Sequence, residues 1–206
     1  MANDDLLTLA KRLKAIADVG LLYNQNEYDK ERYSEVLDIS YELLHQITGQ
    51  EIVYLKNLYV ENKDYPTAKV DVRVLIIKDN KILLVKESAD NKWSLPGGWA
   101  DIGYSPKEVA VKECKEETGL DVVPIRLLAV YDKKFHAHPP QPFYAYKMVI
   151  HCAAVSEEVS KGFDVLDVQY FDVDNLPELS EDRILKSQLE MAFQKVSVND
   201  METYFD

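Results

Sequence analysis

Cysteine is scarce in this chain. Cys114 and Cys152 stand far apart, in apolar surroundings and with no CxxC spacing. That argues against a disulfide framework and fits a reducing compartment, with both thiols buried and free. Apolar runs long enough to span a bilayer are missing as well. The first residues, MANDDLLTLAKRLK, place acids ahead of a short apolar pattern, unlike a secretory signal. A soluble, cytoplasmic protein is expected. Basic charge is also in short supply: 24 Lys and Arg against 36 Asp and Glu give a net charge of −12. Such a chain is poorly suited to general binding of nucleic acid or anionic membrane. It can still take an anionic substrate where a metal ion supplies positive charge locally. Internal repeats and low-complexity tracts are absent.

What is present divides into two textures. Residues 1–65 read as helical. Leu6, Leu9, Ala10, Leu13, Ile16 and Ala17 recur at three- and four-residue spacing, and a second helix carries Tyr33, Val36, Leu37, Ser40, Leu43, Leu44 and Ile47. Gly49 stands where a C-terminal cap is expected. Two such helices cannot bury their stripes alone and need the rest of the chain or a second subunit. YLKNLYVENKDYP, 54–66, reads as a linker or short element, with the boundary near 62–67. Residues 66–206 read as a mixed α/β domain. Two apolar runs flank Asp79-Asn80-Lys81, a hairpin signal. Further strands follow in DVVPIRLLAVYDKK, FYAYKMVIHCAAV and DVLDVQYFDVDNLP. A closing helix is expected over Ser180 to Lys195, and the polar tail SVNDMETYFD is expected to fray.

The informative stretch is SPKEVAVKECKEETG. Ser105, Pro106 and Glu108 form a capping box with proline at the first helical position, and Gly119 is the stop. The spacing predicts a helix from about Pro106 to Thr118. On it Glu113, Glu116 and Glu117 fall within about 100° of arc, with Val111, Cys114 and Thr118 on the flank to be buried. Acid this close to a helix C-terminus opposes the macrodipole and repels itself. Two readings fit. One is a solvated acidic face balanced by Lys112 and Lys115. The other is a site for an oxygen-seeking divalent ion such as Mg²⁺ or Mn²⁺. Pro96-Gly97-Gly98 just upstream favours the second, because backbone can approach a ligand closely there and offer a carbonyl.

Gly98, Glu113, Glu116, Glu117, Gly119 and Leu120 match the Nudix box, and WSLPGG before it is typical of the same family. The chain resembles a Nudix hydrolase. The resemblance implies an α/β/α sandwich around a mixed sheet, preceded here by a small N-terminal helical domain. It implies Mg²⁺- or Mn²⁺-dependent attack of water on a diphosphate, with metal held by Glu113, Glu116, Glu117 and the Gly97 carbonyl. Glu116 or Glu117 would take the proton, and Lys112 replaces the arginine that orients a helix glutamate. The sequence departs from the box at Tyr104, Lys112 and Cys114, and Asp101 stands where many members have glutamate. Family members often add an acid from a later loop, for which Glu157, Glu158, Asp164 and Asp167 are candidates.

Substrate contacts are sought outside the box. In YDKKFHAHPPQPFYAYK, His136 and His138 lack a third ligand for zinc. The segment reads as a phosphate-facing loop with Lys133 and Lys134, or as ordinary surface. Trp99 is a candidate for stacking a base, as are Tyr131, Phe143 and Tyr144, although aromatics in strands are more often core. The N-terminal helices and GWADIGYSP resemble a bacterial subgroup that includes CDP-choline pyrophosphatases, often described more loosely as ADP-ribose pyrophosphatases. This implies a nucleoside diphosphate linked to a small moiety as substrate, and a homodimer formed through the helices. The alternatives are hydrolysis of nucleoside triphosphates or RNA ends, or a ligand sensor without turnover.

Overall fold

The computed structural model describes residues 2–59 and 65–206. Residues 60–64, where part of the expected linker falls, lie outside the described residues. The chain divides into two compact units, Met1–Ala68 with Pro140–Tyr144, and Lys69–Pro139 with Ala145–Asp206. The sequence reading leaves 140–144 with the second unit. In the structure this short segment belongs with the helices, where the Tyr59 hydroxyl donates to the Pro142 carbonyl.

The first unit holds α1 (Ala2–Tyr23), α2 (Glu27–Thr48) and the short α3 (Ile52–Leu58), the last lying inside the segment expected to be a linker or short element. Asn26 caps α2 by accepting from the Asp29 amide, and Gly49 ends it in the left-handed region at φ 70°. The apolar positions of α1 form two adjacent seams. Leu7 and Ala10 are buried in a core with Tyr41, Leu44 and Leu55, and Ala17 is buried as well, whereas Leu6, Leu9 and Ile16 are exposed. Lys14 joins the buried seam by pairing with Asp18 at 2.6 Å and lying 3.9 Å from the Tyr59 ring centroid. Its methylene stem packs while its charge is matched. No helix among the described residues is long and apolar enough to cross a membrane.

The second unit is built on two sheets. β1 (Lys69–Leu75), β5 (Gly97–Trp99), β6 (Val122–Asp132), β7 (Ala145–Ala154) and β9 (Tyr204–Phe205) form a mixed sheet in the order β5-β1-β7-β6-β9. β2 (Ile77–Lys78), β3 (Lys81–Glu87), β4 (Trp93–Ser94) and β8 (Val165–Asp172) form an antiparallel one. The hairpin at Asp79-Asn80 is present, with φ 49° and 61° at its two turn residues, but it joins β2 to β3. β1 parts from it and pairs in parallel with β7. The closing helix α5 (Lys186–Ser197) starts later than expected, because a turn at 181–183 folds back on Ser180, whose amide donates to the Trp93 carbonyl. The tail does not fray: β9 pairs with β6, and Asp206 accepts from the Asp132 amide.

Side chains alternate across the mixed sheet. Val72, Val74, Ile76, Ile150 and Cys152 pack with Val109, Ala110 and Cys114 of α4 (Pro106–Thr118). Leu75, Tyr131 and Val149 on the other face pack with Leu189 and Ala192 of α5. Both cysteines are buried free thiols.

Candidate active site

The helix carrying the acids forms as its sequence demands. Ser105 accepts from the Glu108 amide, Glu108 reaches back to the Ser105 amide at 2.7 Å, and Gly119 closes the helix at φ 72°. The last carbonyls of α4 are then met by a docked strand of loop. Ser160 donates to the Thr118 carbonyl and Gly162 to that of Glu117, each at 2.9 Å. A side chain at 162 would stand 2.0 Å from the Glu116 carbonyl, so only glycine lets the loop lie this close.

The buried flank of α4 differs from the one expected. Val109, Ala110, Cys114, Glu117 and Thr118 face inward, and Val111 is exposed. Glu117 is therefore not on a shared outer edge. It lies beneath β5 and accepts from the Gly97 amide at 2.9 Å. Burial pushes its carboxyl up to about 8, against the lowering effect of the Gly97 amide and Arg73. Gly97 meets the helix through its N–H, and its φ of 141° keeps the position for glycine. Gly98 is equally confined, since a Cβ there would fall 2.8 Å from Glu113 Oε2.

Glu113 and Glu116 converge on one point. The Lys112 ammonium stands 3.2 Å from Glu113 and 3.1 Å from Glu116, with Asp101 at 3.6 Å. Its hydrogen bonds to Glu116 and then Glu113 hold it above the ordinary lysine range. Among the described residues no three His, Cys, Asp or Glu side chains meet at a common centre. Two meet at Lys112 and the third turns to Gly97. As a donor set the three suit a hard divalent cation: all oxygen, all carboxylate, two already sharing one positive charge.

Of the later acids, Glu157, Glu158 and Asp164 are exposed on or beside the loop docked at the end of α4. Asp167 lies on β8, where it accepts from the Val168 amide and the Gln169 side chain. Trp99 is exposed on β5, with Lys69 Nζ 5.4 Å from its ring centroid. His136 is bound to Asp206 at 2.9 Å and packs edge-on to Tyr131. His138 lies between the Glu181 carbonyl at 2.6 Å and Gln188 at 3.2 Å. Lys133 donates to the Asp182 carbonyl at 2.7 Å.

Sequence reasoning missed a buried ionic layer on the opposite face of β1. Arg73 donates to Asp71 at 2.8 Å and to the Leu95 carbonyl at 3.2 Å. Asp71 also pairs with Lys147 across the parallel β1–β7 ladder. Glu87 lies 3.7 Å from Arg73 and 2.9 Å from Arg183, and accepts from Ser94 at 2.6 Å. The available signal was the alternation of Asp71 and Arg73 inside an otherwise apolar strand. Ordinarily that marks a solvent face, and only pairing with distant β7 makes it an interior one.

A strand, a glycine loop and a capped helix thus gather the glutamates, and comparison with known proteins agrees. A profile described as the NUDIX domain matches residues 67–191, and one described as a UDP-X-like, N-terminal oligomerisation domain matches 4–59. YjhB of Bacillus subtilis (strain 168), provisionally named an ADP-ribose pyrophosphatase, is 43% identical over 97% of this chain and 96% of its own length. A crystal structure of UDP-X diphosphatase superposes with a TM-score of 0.64 at 33% identity, covering 99% of both chains. That of an ADP-ribose pyrophosphatase from Streptococcus suis 89-1591 gives 0.62 at 36% identity, covering 68% of this chain and 100% of that one. With a domain match over most of its length and the box glutamates gathered at one end of α4, the chain belongs to the Nudix hydrolase family and is a pyrophosphohydrolase.

Proposed function

We propose that the protein cleaves a nucleoside diphosphate linked to a small moiety, giving a nucleoside monophosphate and the phosphorylated moiety, and that it does so with Mg²⁺ or Mn²⁺. The observation that carries this reading is the convergence of Glu113 and Glu116 on a single cation beside the buried Glu117. The relatives' names, ADP-ribose pyrophosphatase and UDP-X diphosphatase, describe substrates of this class. CDP-choline belongs to the same class, and these names put ADP-ribose ahead of it.

Glu113, Glu116 and Glu117 would hold the metal, with the Gly97 carbonyl as a further oxygen. When bound, the cation neutralises the diphosphate and polarises the attacking water. Lys112 gives up its place between the two carboxylates and follows the negative charge outward, toward Asp101 or the substrate. Gly97 N–H fixes Glu117, so that its carboxylate does not wander as charge changes around it. Glu116, the exposed member, accepts the water's proton. The water oxygen bonds to one phosphorus, and the bridging oxygen leaves on the other. No arginine fork orients Glu116 here. The lysine offers a point charge in its place.

A homodimer through α1 completes the proposal. Its outer seam of Leu6, Leu9 and Ile16 is exposed among the described residues, and it lies in the segment matched by an oligomerisation domain.

Metal-stripped protein incubated with ADP-ribose tests the chemistry. The expected result is no AMP until Mg²⁺ or Mn²⁺ is restored. Undiminished turnover in excess chelator contradicts it.

A further inference from the structure

The acidic helix accounts for metal, but not for the buried ionic layer on the other face of β1. The cations of that layer, Arg73, Lys147 and Arg183, each face an acid. Arg73 lies against Asp71 and Glu87, Lys147 against Asp71, and Arg183 against Glu87 and Asp90. Glu117 is a further acid in the field of Arg73. Arg73 is the member that reaches the glycine loop. Its strand partner in register is Gly97, the residue whose amide holds Glu117. Its planar head is buried and works in two directions. Nε donates to Asp71 at 2.8 Å, and Nη1 donates to the Leu95 carbonyl at 3.2 Å.

The short run Leu95–Gly97 needs such a hold. Pro96 has no amide hydrogen, so between the Leu95 carbonyl and the Gly97 amide the backbone carries one other polar group, the Pro96 carbonyl. That carbonyl accepts from the Val74 amide at 2.8 Å, and the Gly97 amide donates to Glu117 at 2.9 Å. The Leu95 carbonyl belongs to a fully buried residue and turns to side chains. Ser94 Oγ stands 3.0 Å from it, but has one hydrogen and lies nearer Glu87, at 2.6 Å. Arg73 is then the donor that fixes it. Glycine imposes little on its own φ and ψ, so Gly97, at φ 141°, takes its direction from the neighbours that anchor it. An apolar side chain would fill position 73 without burying charge, as Val72 and Val74 do on the same strand. What it could not do is hold a carboxylate and a carbonyl at once.

We propose that Arg73 is a positioning residue of the active site. By clamping the Leu95 carbonyl it sets the direction of the Gly97 N–H, and through that bond the place of the Glu117 carboxylate. It touches neither substrate nor metal. This rests on the reading given above, in which Glu117 and the Gly97 carbonyl are metal ligands, and adds the group that aims them. A lysine at 73 would keep the charge but has no rigid fork, so it could not serve Asp71 and Leu95 together.

The test uses the full chain and begins without metal. Pro96-Gly97 is the only Pro–Gly step in the sequence, so ¹³C-carbonyl proline with ¹⁵N-glycine singles out the Gly97 amide by NMR. Arg73→Lys should move that signal and weaken Mn²⁺ binding severalfold by calorimetry. It should also lower kcat on ADP-ribose at least about tenfold, with KM held within about twofold. Lys147→Met is the control. It takes a partner from the same Asp71, but from β7, with β1 standing between it and β5. It should leave the amide signal and the Mn²⁺ affinity near wild type. A folded Arg73→Lys that matches wild type in any of the three readouts overturns the proposal. So does a Lys147→Met that shifts them equally, because the layer is then a brace for the fold alone. Should Arg73→Lys not fold, Arg73→Met with Glu87→Gln removes one charge of each sign and is read in the same way. A wild type that releases no AMP from ADP-ribose counts against the substrate reading, and one that binds no Mn²⁺ against the metal. In either case the remaining readouts decide for Arg73.

Discussion

The Lys112 ammonium lies 3.1 Å from the carboxylate of Glu116, one helical turn further along α4. It occupies the ground where positive charge is most wanted, so at the proposed metal site lysine and a divalent ion would compete for the same carboxylates. Lys112→Met should cost the metal-free protein roughly 0.2–1 kcal/mol, the usual worth of a partly exposed pair. It should also tighten Mn²⁺ binding severalfold. Calorimetric titration of Mn²⁺ into both proteins checks this, and weaker binding by the variant would contradict it.

The two glycines of the loop should fail differently. A Cβ at Gly97 would stand 2.0 Å from the Val72 carbonyl oxygen, at a φ that only glycine adopts easily. Gly97→Ala should lose more than about 3 kcal/mol or not fold. A Cβ at Gly98 meets the end of the Glu113 side chain, which can move. Gly98→Ala should melt close to wild type and lose at least about tenfold in turnover as Glu113 is displaced. Thermal melts beside steady-state rates separate the two.

How much of this the sequence discloses depends on the range of the interaction. The capping box, Pro106, Gly119 and the acid spacing are local, and α4 follows them closely. Burial of Glu117 in place of Val111 is not local: it depends on where β5 lies over the helix. The ionic layer of Asp71, Arg73 and Lys147 depends on a parallel pairing between residues 76 positions apart, which no window of sequence displays. The tail misled for a similar reason. Polar composition predicts fraying, but β9 has an open edge of β6 to pair with, and His136 supplies a partner for Asp206.

Glu117 gives the metal-free protein a characteristic pH dependence. Burial raises its carboxyl in the fold to about 8, from an ordinary glutamate value of about 4.5. Between those limits the folded state holds the proton more tightly than the unfolded one. Its contribution to stability is therefore complete below about pH 4.5 and is lost as pH rises toward 8. In chelator, Glu117→Gln should flatten that part of the stability profile. Denaturant melts at half-unit pH steps would contradict the assignment if wild type and variant fall in parallel.

The outer seam of α1 predicts assembly. Leu9→Asp with Ile16→Asp should leave helix content intact, because both side chains are exposed, and should convert a dimer to a monomer. Light scattering at matched concentrations reads the result. A double variant of unchanged mass would remove α1 from the interface.

The most direct test of the account is product analysis. Wild type and Glu116→Gln, each with Mg²⁺ or Mn²⁺, would be given ADP-ribose, CDP-choline, a UDP-sugar and the nucleoside triphosphates, and the products separated by chromatography. The account predicts a nucleoside monophosphate and a phosphorylated moiety from at least one diphosphate substrate. It predicts at least about a hundredfold less from Glu116→Gln, with its fold unchanged. Metal-loaded wild type that cleaves none of the diphosphate substrates, or a Glu116→Gln that turns over as fast, would contradict it.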